Sequence, residues 1–343
     1  MGPDAWAPRR GGPARPLRTR RRGWGPRRVA RVAGLVIAAL LILTIGFYFY
    51  LDGKLTRKNM LVDYSGRPAA GAGQNWLITG SDSRQGLTRK QMRKLATGFD
   101  VSGQRSDTIM VLHIPAGGGR AVLVSIPRDS YVPIPGNGLN KINAAYSFGG
   151  PKLMAETVQN VTGLHIDHYM GIGFGGLVHV VDAVGGVHMC LHSAITDPAA
   201  GLHLKAGCQN LNGAEALGFV RTRHNFAQQD LQRVQDQRLF LRALLRKVTS
   251  PGTILNPFAA IPAANGAAST LTVDKSTHLY DLLQVALALR NPETGTVPIA
   301  DAAYITPAGD AVKWDTPNAQ ALFNDLQNDQ PVPKSLLGGS KLG

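Results

Sequence analysis

Residues 75–84 read NWLITGSDSR, and the fold turns on how this stretch is interpreted. Trp76 to Thr79 form a short apolar run closed by Gly80, the pattern of a strand buried on both faces. Two further runs have the same character, DTIMVLHIP at 107–115 and AVLVSIPRD at 121–129. Helical spacing alternates with them. GPKLMAETVQNVTG (150–163) ends on Gly163, a C-cap residue, and DLQRVQDQRLFLRALLRKVTS (230–250) opens on Asp230 and stops before Pro251. STHLYDLLQVALALR (276–290) and TPNAQALFNDLQ (316–327) read as two more helices. HYMGIGFGGLVHVVDAVGG (168–186) reads as a strand followed by a short apolar helix, GVHMCLH (186–192) as another strand, and NGAEALGFVRTR (212–223) as a helix running into a strand. Interleaved strands and helices without an internal repeat predict an α/β fold, a single domain over 75–330 with a central mixed sheet flanked by helices.

The remaining segments are read around that domain. The chain has 343 residues and a net charge of +15. Ten arginines and one acid within residues 1–31 account for +9, leaving +6 for everything else. The basicity is therefore a tail, rich in Arg, Pro and Gly and without hydrophobic period, and is expected to be disordered. Twenty uncharged residues follow, Val32–Leu51, enough at 1.5 Å per residue to cross about 30 Å of hydrocarbon. Their end, Phe47, Tyr48, Phe49 and Tyr50, has the make-up of an interfacial aromatic belt. A cleaved signal peptide is the competing reading, but the run is long for one and no small-x-small site follows it. Arginines on the N-terminal side alone predict a single-pass cell-membrane protein, with a cytoplasmic N-terminus and everything after Asp52 extracytoplasmic. Residues 52–74 read as a linker and 331–343 as a frayed end. The two cysteines, Cys190 and Cys208, suit one disulfide in an oxidising compartment, with two unpaired core cysteines as the alternative. Nine histidines show no zinc-ligand spacing.

Charged side chains cluster at the ends of the predicted strands. Asp82 and Arg84 follow the first strand, Arg105 and Asp107 introduce the second, Arg128 and Asp129 close the third, and Lys141 lies in LNKIN. The stretch FVRTRHNFAQQDLQRVQDQR (219–238) adds Arg221 and Arg223, two apart on a presumed strand, then Asp230, Arg233 and Gln237 on a helix. Open α/β sheets gather ligands at loops off strand ends, so one common site is geometrically possible. Several arginine forks converging on one place suit a polyanion such as a pyrophosphate. Two carboxylates among them would repel it unless a cation such as Mg²⁺ lay between. Taken singly, each Arg–Asp pair is equally well a local ion pair or turn cap. Arg238, Arg242 and Arg246 repeat at helical spacing as a solvated face and are left out of the site.

Taken in order, GSDSR, RSDTIM, SIPRDS, NKINAAY, GGV, LNGAEAL, VRTRH and DLQRVQDQ resemble the motifs of the LytR-CpsA-Psr family of cell-wall glycopolymer ligases. The match runs from about 75 to 250, with a looser tail to about 330. The resemblance implies a membrane-anchored transferase. Such an enzyme moves a glycopolymer from an undecaprenyl (polyprenyl)-pyrophosphate carrier onto peptidoglycan and leaves a phosphodiester link. It implies Mg²⁺ (or Mn²⁺) on Asp82 and Asp107, and pyrophosphate contacts from Arg105, Arg128, Arg221, Arg223, Arg233 and Gln237, with Arg84 and Lys141 nearby. Asp129 or Asp230 would be the general base on the acceptor hydroxyl, and Arg128 is counted with them in catalysis. Asp236 departs from the family, which commonly places an arginine just before the glutamine. Residues 85–104 are either a lid or an insertion, and the extra C-terminal domain of some relatives is not expected. The apolar segments FGGLVHVVDAV (174–184) and LFLRALL (239–245) suit either a lipid slot or ordinary core. A polyprenyl-pyrophosphate hydrolase, a non-catalytic lipid-linked glycan carrier and a transcriptional attenuator are the rival functions. The last fits worst, since the domain lies outside the membrane and no nucleic acid partner is expected. Arg- and Ala-rich composition favours arabinogalactan among the polymers.

Overall fold

A computed structural model describes residues 26–81, 92, 106–222, 239–240, 243–244, 246–248, 250, 252 and 257–337, the side chains of 29, 107, 257–260, 263, 267 and 269 excepted. Two compact units divide the chain at Phe47 and Tyr48. Helix α1, Pro26–Asp52, is long and apolar enough to cross a membrane, and its side chains from Ala30 to Gly46 are exposed.

The second unit is built on seven strands. In chain order they are β1 (Thr56–Lys58), β2 (Gln74–Ser81), β3 (Ser106–Ile114), β4 (Val122–Ile126), β7 (His168–Ile172), β12 (Leu271–Asp274) and β13 (Glu293–Thr296), laid side by side as β1-β12-β7-β2-β3-β4-β13. β2 runs parallel to β7 and antiparallel to β3, and β3 antiparallel to β4, so the sheet is mixed. Each of the three expected buried strands is present.

The strand alternation explains why these runs are continuously apolar. On one face Leu77, Ile109, Val111, Val122, Val124 and Ile126 pack with Met154 and Val158 of α2 (Asn143–Thr162) and Leu322 and Phe323 of α7 (Thr316–Gln327). On the other, Trp76, Leu112, Ala121 and Leu123 meet Val285 and Leu289 at α6 (Leu279–Ala288). Both faces are covered, as a three-layer α/β/α arrangement requires. Gly163 ends α2 in the left-handed conformation at φ 71°, its N–H donating to Gln159 O. Gly171 gives room on β7: a Cβ there would come within 2.9 Å of the Tyr169 hydroxyl.

Four short strands, β8 (Val187–Leu191), β9 (Ile195–Asp197), β10 (Leu202–Leu204) and β11 (Gly207–Leu211), form two hairpin pairs beside the main sheet. They share a second core with α3 (Phe174–Ala183), α4 (Gly213–Arg221), Phe240 and Leu244. Val181, Val184, Phe240 and Leu244 are thus packed core side chains in both segments that had also suited a lipid slot. Cys190 and Cys208 stand opposite each other on β8 and β11 and form the disulfide.

Three differences from the sequence reading follow from long-range pairing. Residues 52–74, read as a linker, supply β1, which pairs in parallel with β12, and the buried anchors Leu55 and Met60. Val332 and Leu337, in the segment read as frayed, are buried in the main core. Arg221, read as part of a strand, is the last residue of α4. Asn212 caps that helix by accepting from Ala214 and Glu215 N–H, and Glu215 accepts from Asn212 N–H in return. This capping box starts the helix, and burial of Ala216, Leu217 and Phe219 carries it through the β-favouring FVR triplet.

Candidate active site

One edge of the sheet collects the predicted charges that the structure describes. β2, β4 and β7 all end there, and the antiparallel β3 begins there, with Ser81 opposite Ser106, Gly80 opposite Ile172 and Ile109 opposite Ile126. The β2–β3 ladder pairs Gly80 with Thr108 and then Ser81 with Ser106, so it steps over Asp107. An extra residue of this kind is a β-bulge, a device concentrated beside functional sites. Ser106 Oγ holds the bulge from within, 2.9 Å from Thr108 O and 3.3 Å from Gly80 O. The side chain of Asp107 lies outside the described residues, as do Asp82, Arg84, Arg105, Arg223, Asp230, Arg233, Asp236 and Gln237, and all of 85–104 except Met92.

At the end of β4 the chain turns through Pro127, Arg128, Asp129 and Ser130, and nearly every polar group of that turn is tied down. Ser130 N–H donates to Pro127 O at 3.0 Å, Asn143 N–H to Arg128 O at 3.1 Å, Ile142 N–H to Ser130 O at 2.8 Å and Val312 N–H to Asp129 O at 2.8 Å. The fully buried Ser130 hydroxyl donates to Pro127 O and accepts from Trp314 Nε1 at 2.8 Å. The donors come from the start of α2 and from a hairpin, β14 (Ile299–Thr306) with β15 (Gly309–Trp314). Such a turn keeps its side chains in fixed directions, the condition for a preorganised site.

Those side chains form a charged cluster. Arg128 Nε lies 3.2 Å from Asp129 Oδ2, and Lys141 Nζ lies 3.6 Å from Asp129 Oδ1. Lys141 ends β6 (Gly138–Lys141) and pairs in register with Tyr131 of β5 (Tyr131–Ile134), the strand that follows the turn. All three charged groups retain a quarter to a third of their exposure. They are open to a ligand, and as an ion-pair set they contribute little stability.

A third described cation, Arg221, is carried by a different element. Arg221 brings its guanidinium carbon 5.3 Å from the ring centroid of Phe174, within cation–π range. Phe174 opens α3 two residues after the end of β7. Arg128 follows β4 and the Phe174 ring that meets Arg221 follows β7, so these two anchor points lie on either side of β2 and β3, on strands three inter-strand spacings or about 14 Å apart. Long side chains can close much of that gap around a diphosphate-sized anion.

Sequence reasoning had passed over Phe174, Ser130 and Trp314, which position these groups. Only Ser130 lay inside a recognised motif, SIPRDS. The Trp314–Ser130 contact spans 184 residues and leaves no local trace.

Comparison with known proteins extends the match to most of the chain. The LytR_cpsA_psr family model covers residues 52–323. "Probable cell wall biosynthesis protein LcpB" of Corynebacterium glutamicum is 48% identical over 297 residues, 86% of this chain and 70% of that protein. "Polyisoprenyl-teichoic acid--peptidoglycan teichoic acid transferase TagU" of Enterococcus faecalis is 36% identical over 163 residues, 47% of this chain and 53% of that protein. Among solved structures, a LytR-Csp2A-Psr enzyme from Actinomyces oris shares the fold with a TM-score of 0.61 at 20% identity, covering 80% of this chain and 96% of that one. A structure described as TagT bound to LI-WTA superposes with a TM-score of 0.57 at 24% identity, covering 81% and 99%.

Proposed function

The chain belongs to the LytR-CpsA-Psr family, and from that premise we propose that it is a membrane-anchored phosphotransferase of cell-wall assembly. It takes a glycopolymer from a polyprenyl-pyrophosphate carrier and joins it to peptidoglycan through a phosphodiester. The observation that carries the reading is the sheet edge where Arg128 and the Phe174 ring that meets Arg221 are anchored on either side of the strands with the bulged Ser81–Ser106 pair. Two relatives point the same way by name, one a cell-wall biosynthesis protein and one a teichoic acid transferase acting on peptidoglycan.

Chemically, a peptidoglycan hydroxyl attacks the glycan-side phosphorus, the bond to the bridging pyrophosphate oxygen breaks, and polyprenyl phosphate leaves. Such a step depends on positioning and charge neutralisation and needs no protein nucleophile. Arg128 and Arg221 bind the diphosphate oxygens, with Arg105, Arg223, Arg233 and Gln237 assigned to the same anion and Arg84 and Lys141 to its periphery. Asp129, partly exposed beside Arg128, or Asp230 takes the hydroxyl proton in this reading. Asp82 and Asp107 are assigned to a divalent cation. Asp82 follows Ser81 in the chain and Asp107 follows Ser106, the residue paired with Ser81, so each is one residue along the chain from the same ladder pair. Bound there, Mg²⁺ or Mn²⁺ would offset charge on the phosphate oxygens. Anchoring by α1 with the arginine-rich tail in the cytoplasm puts this edge on the extracytoplasmic side, where peptidoglycan is.

The test is incubation of the purified full chain with a lipid-pyrophosphate-linked glycan and peptidoglycan fragments. A covalent glycan–peptidoglycan conjugate is expected from the wild type, and none from Arg128→Ala or Arg221→Ala at unchanged melting midpoint. Free glycan phosphate without conjugate would make the protein a hydrolase, and binding without turnover would make it a carrier. Supplying arabinogalactan and teichoic acid donors separately identifies the polymer.

A further inference from the structure

Helix α6 carries an apolar row that stands exposed among the described residues. Val285 and Leu289 turn into the core, whereas Tyr280, Leu283 and Leu287 stand 59%, 54% and 50% exposed. Spacings of three and four residues align these three along about 10 Å of one helix face. Arg290 extends the row and is exposed, and Lys275 is exposed just before the helix begins.

The start of α6 is fastened to the residue at which the apolar segment ends. Val32–Leu51 is the uncharged run, and the next residue, Asp52, accepts the backbone N–H of Leu279 at 2.8 Å through Oδ1. Its Oδ2 lies 2.7 Å from Arg57 Nη2 and 3.4 Å from His278 Nδ1, and Arg57 Nε donates to Thr277 O at 3.0 Å. Two residues on from Asp52, Lys54 Nζ donates to Asn265 Oδ1 at 2.8 Å in α5 (Pro257–Thr270). One turn earlier in that helix Ile261 is 47% exposed. Phe49 and Tyr50, 67% and 54% exposed, belong to the same compact unit and have the composition of an interfacial belt. The apolar row thus begins one hydrogen bond away from the point where the chain leaves the hydrocarbon.

We propose that α6 is a membrane-surface helix: Tyr280, Leu283 and Leu287 sit in the headgroup–acyl boundary of the outer leaflet, with Ile261 as a second contact. The proposal rests on the membrane-anchored reading and goes beyond it, since the catalytic unit then lies against the lipid instead of swinging on a tether. An apolar face with aromatic and basic residues at its ends is the composition of helices that lie in the interface plane. The hydrogen-bonded connection from Asp52 to the start of α6 keeps this face near the end of the apolar segment. A unit held at fixed height would meet a lipid-borne substrate in one orientation, which lowers the ordering cost of each encounter.

Cys190 and Cys208 are the chain's two cysteines and pair with each other, so a single added cysteine can be labelled alone. An environment-sensitive fluorophore is placed in the full chain at Leu283→Cys, Leu287→Cys, Phe49→Cys and Asn324→Cys, the last an exposed position on α7. Each variant is reconstituted into phosphatidylcholine–phosphatidylglycerol vesicles with and without nitroxide-bearing lipid. Blue-shifted emission quenched at least twofold by the nitroxide lipid is expected at 283 and 287, as at 49, with water-like unquenched emission at 324. Water-like emission at 283 and 287 overturns the proposal, whether or not position 49 is quenched. So does a blue shift that ignores the nitroxide lipid and grows with protein density, which would mean that a second copy covers the row. Nothing in this readout uses transfer, so its failure leaves the transferase reading standing, and inactivity in the glycan assay leaves the membrane contact standing.

Discussion

Replacing Tyr169 by phenylalanine tests how the two strands that carry half of the site edge are held together. The Tyr169 hydroxyl, on β7, and Thr79 Oγ1, on the neighbouring β2, hydrogen-bond to each other, and the two residues are 1% and 0% exposed. Burial, reinforced by the neighbouring Tyr146, pushes the phenol far above its ordinary pKa, so it is neutral throughout the physiological range. Tyr169→Phe leaves the Thr79 hydroxyl in a dry site without this partner. An orphaned buried hydroxyl costs about 1–3 kcal/mol. At about 2–4 °C per kcal/mol for a domain of this size, a mid-range 2 kcal/mol lowers the thermal midpoint by about 4–8 °C. Thr79→Val removes the same bond from the other side, at about 1 kcal/mol for a typical net hydrogen bond. The double variant has no orphaned threonine hydroxyl, so it costs less than the two single changes together, with a coupling energy of about 1 kcal/mol. Melting of the four proteins in detergent, followed by the emission of buried Trp76 and its fellow tryptophans, gives the cycle directly. Single-variant losses that add to within about 0.3 kcal/mol of the double would refute the coupling and with it the claim that this pair ties β7 to β2.

Three other outcomes are expected. Removing the disulfide with Cys190→Ser and Cys208→Ser opens a loop of 18-residue separation; the chain-entropy cost is about 3 kcal/mol, and an unchanged midpoint would contradict it. Burial holds the His168 imidazole below its ordinary pKa against the pull of Asp281, Asp167 and Asp274. The unfolded chain therefore binds a proton that the fold refuses as pH drops through about 6.5; the midpoint should decline below that pH, and less so in His168→Phe, which keeps a ring against Trp76. Chelation by EDTA should stop transfer and Mg²⁺ restore it in the wild type but not in Asp82→Asn or Asp107→Asn; full activity in EDTA would remove the cation from the proposed mechanism.

What the sequence disclosed and what it hid divide along the range of the interactions. β2, β3 and β4 were legible because strands buried on both faces must be apolar at nearly every position, and a run such as Trp76–Thr79 has few other interpretations. The Gly163 cap and the helix over 316–327 depend on neighbours within one turn and were legible for the same reason. β1 was not, because three polar residues, Thr56–Lys58, become a strand only by pairing with β12, more than 200 residues later. Arg221 is the sharper case. FVR, with its aromatic and β-branched residues, has the composition of a strand, yet the Asn212–Glu215 box at the start of the same short helix and the packing of Leu217 and Phe219 decide for helix. That outcome bears on the chemistry. On a strand, Arg221 and Arg223 would share one face by alternation. Instead Arg221 ends α4, and Thr222 closes the helix through a hydroxyl bond to Gly218 O. The direction of Arg221 is then set in part by Phe174, from a different helix and 47 residues earlier. One of the cations proposed for the pyrophosphate is thus oriented in part by an aromatic contact that no motif marks, and substituting Phe174 should loosen the donor's hold on Arg221 while leaving Arg128, fixed by its own turn, in place.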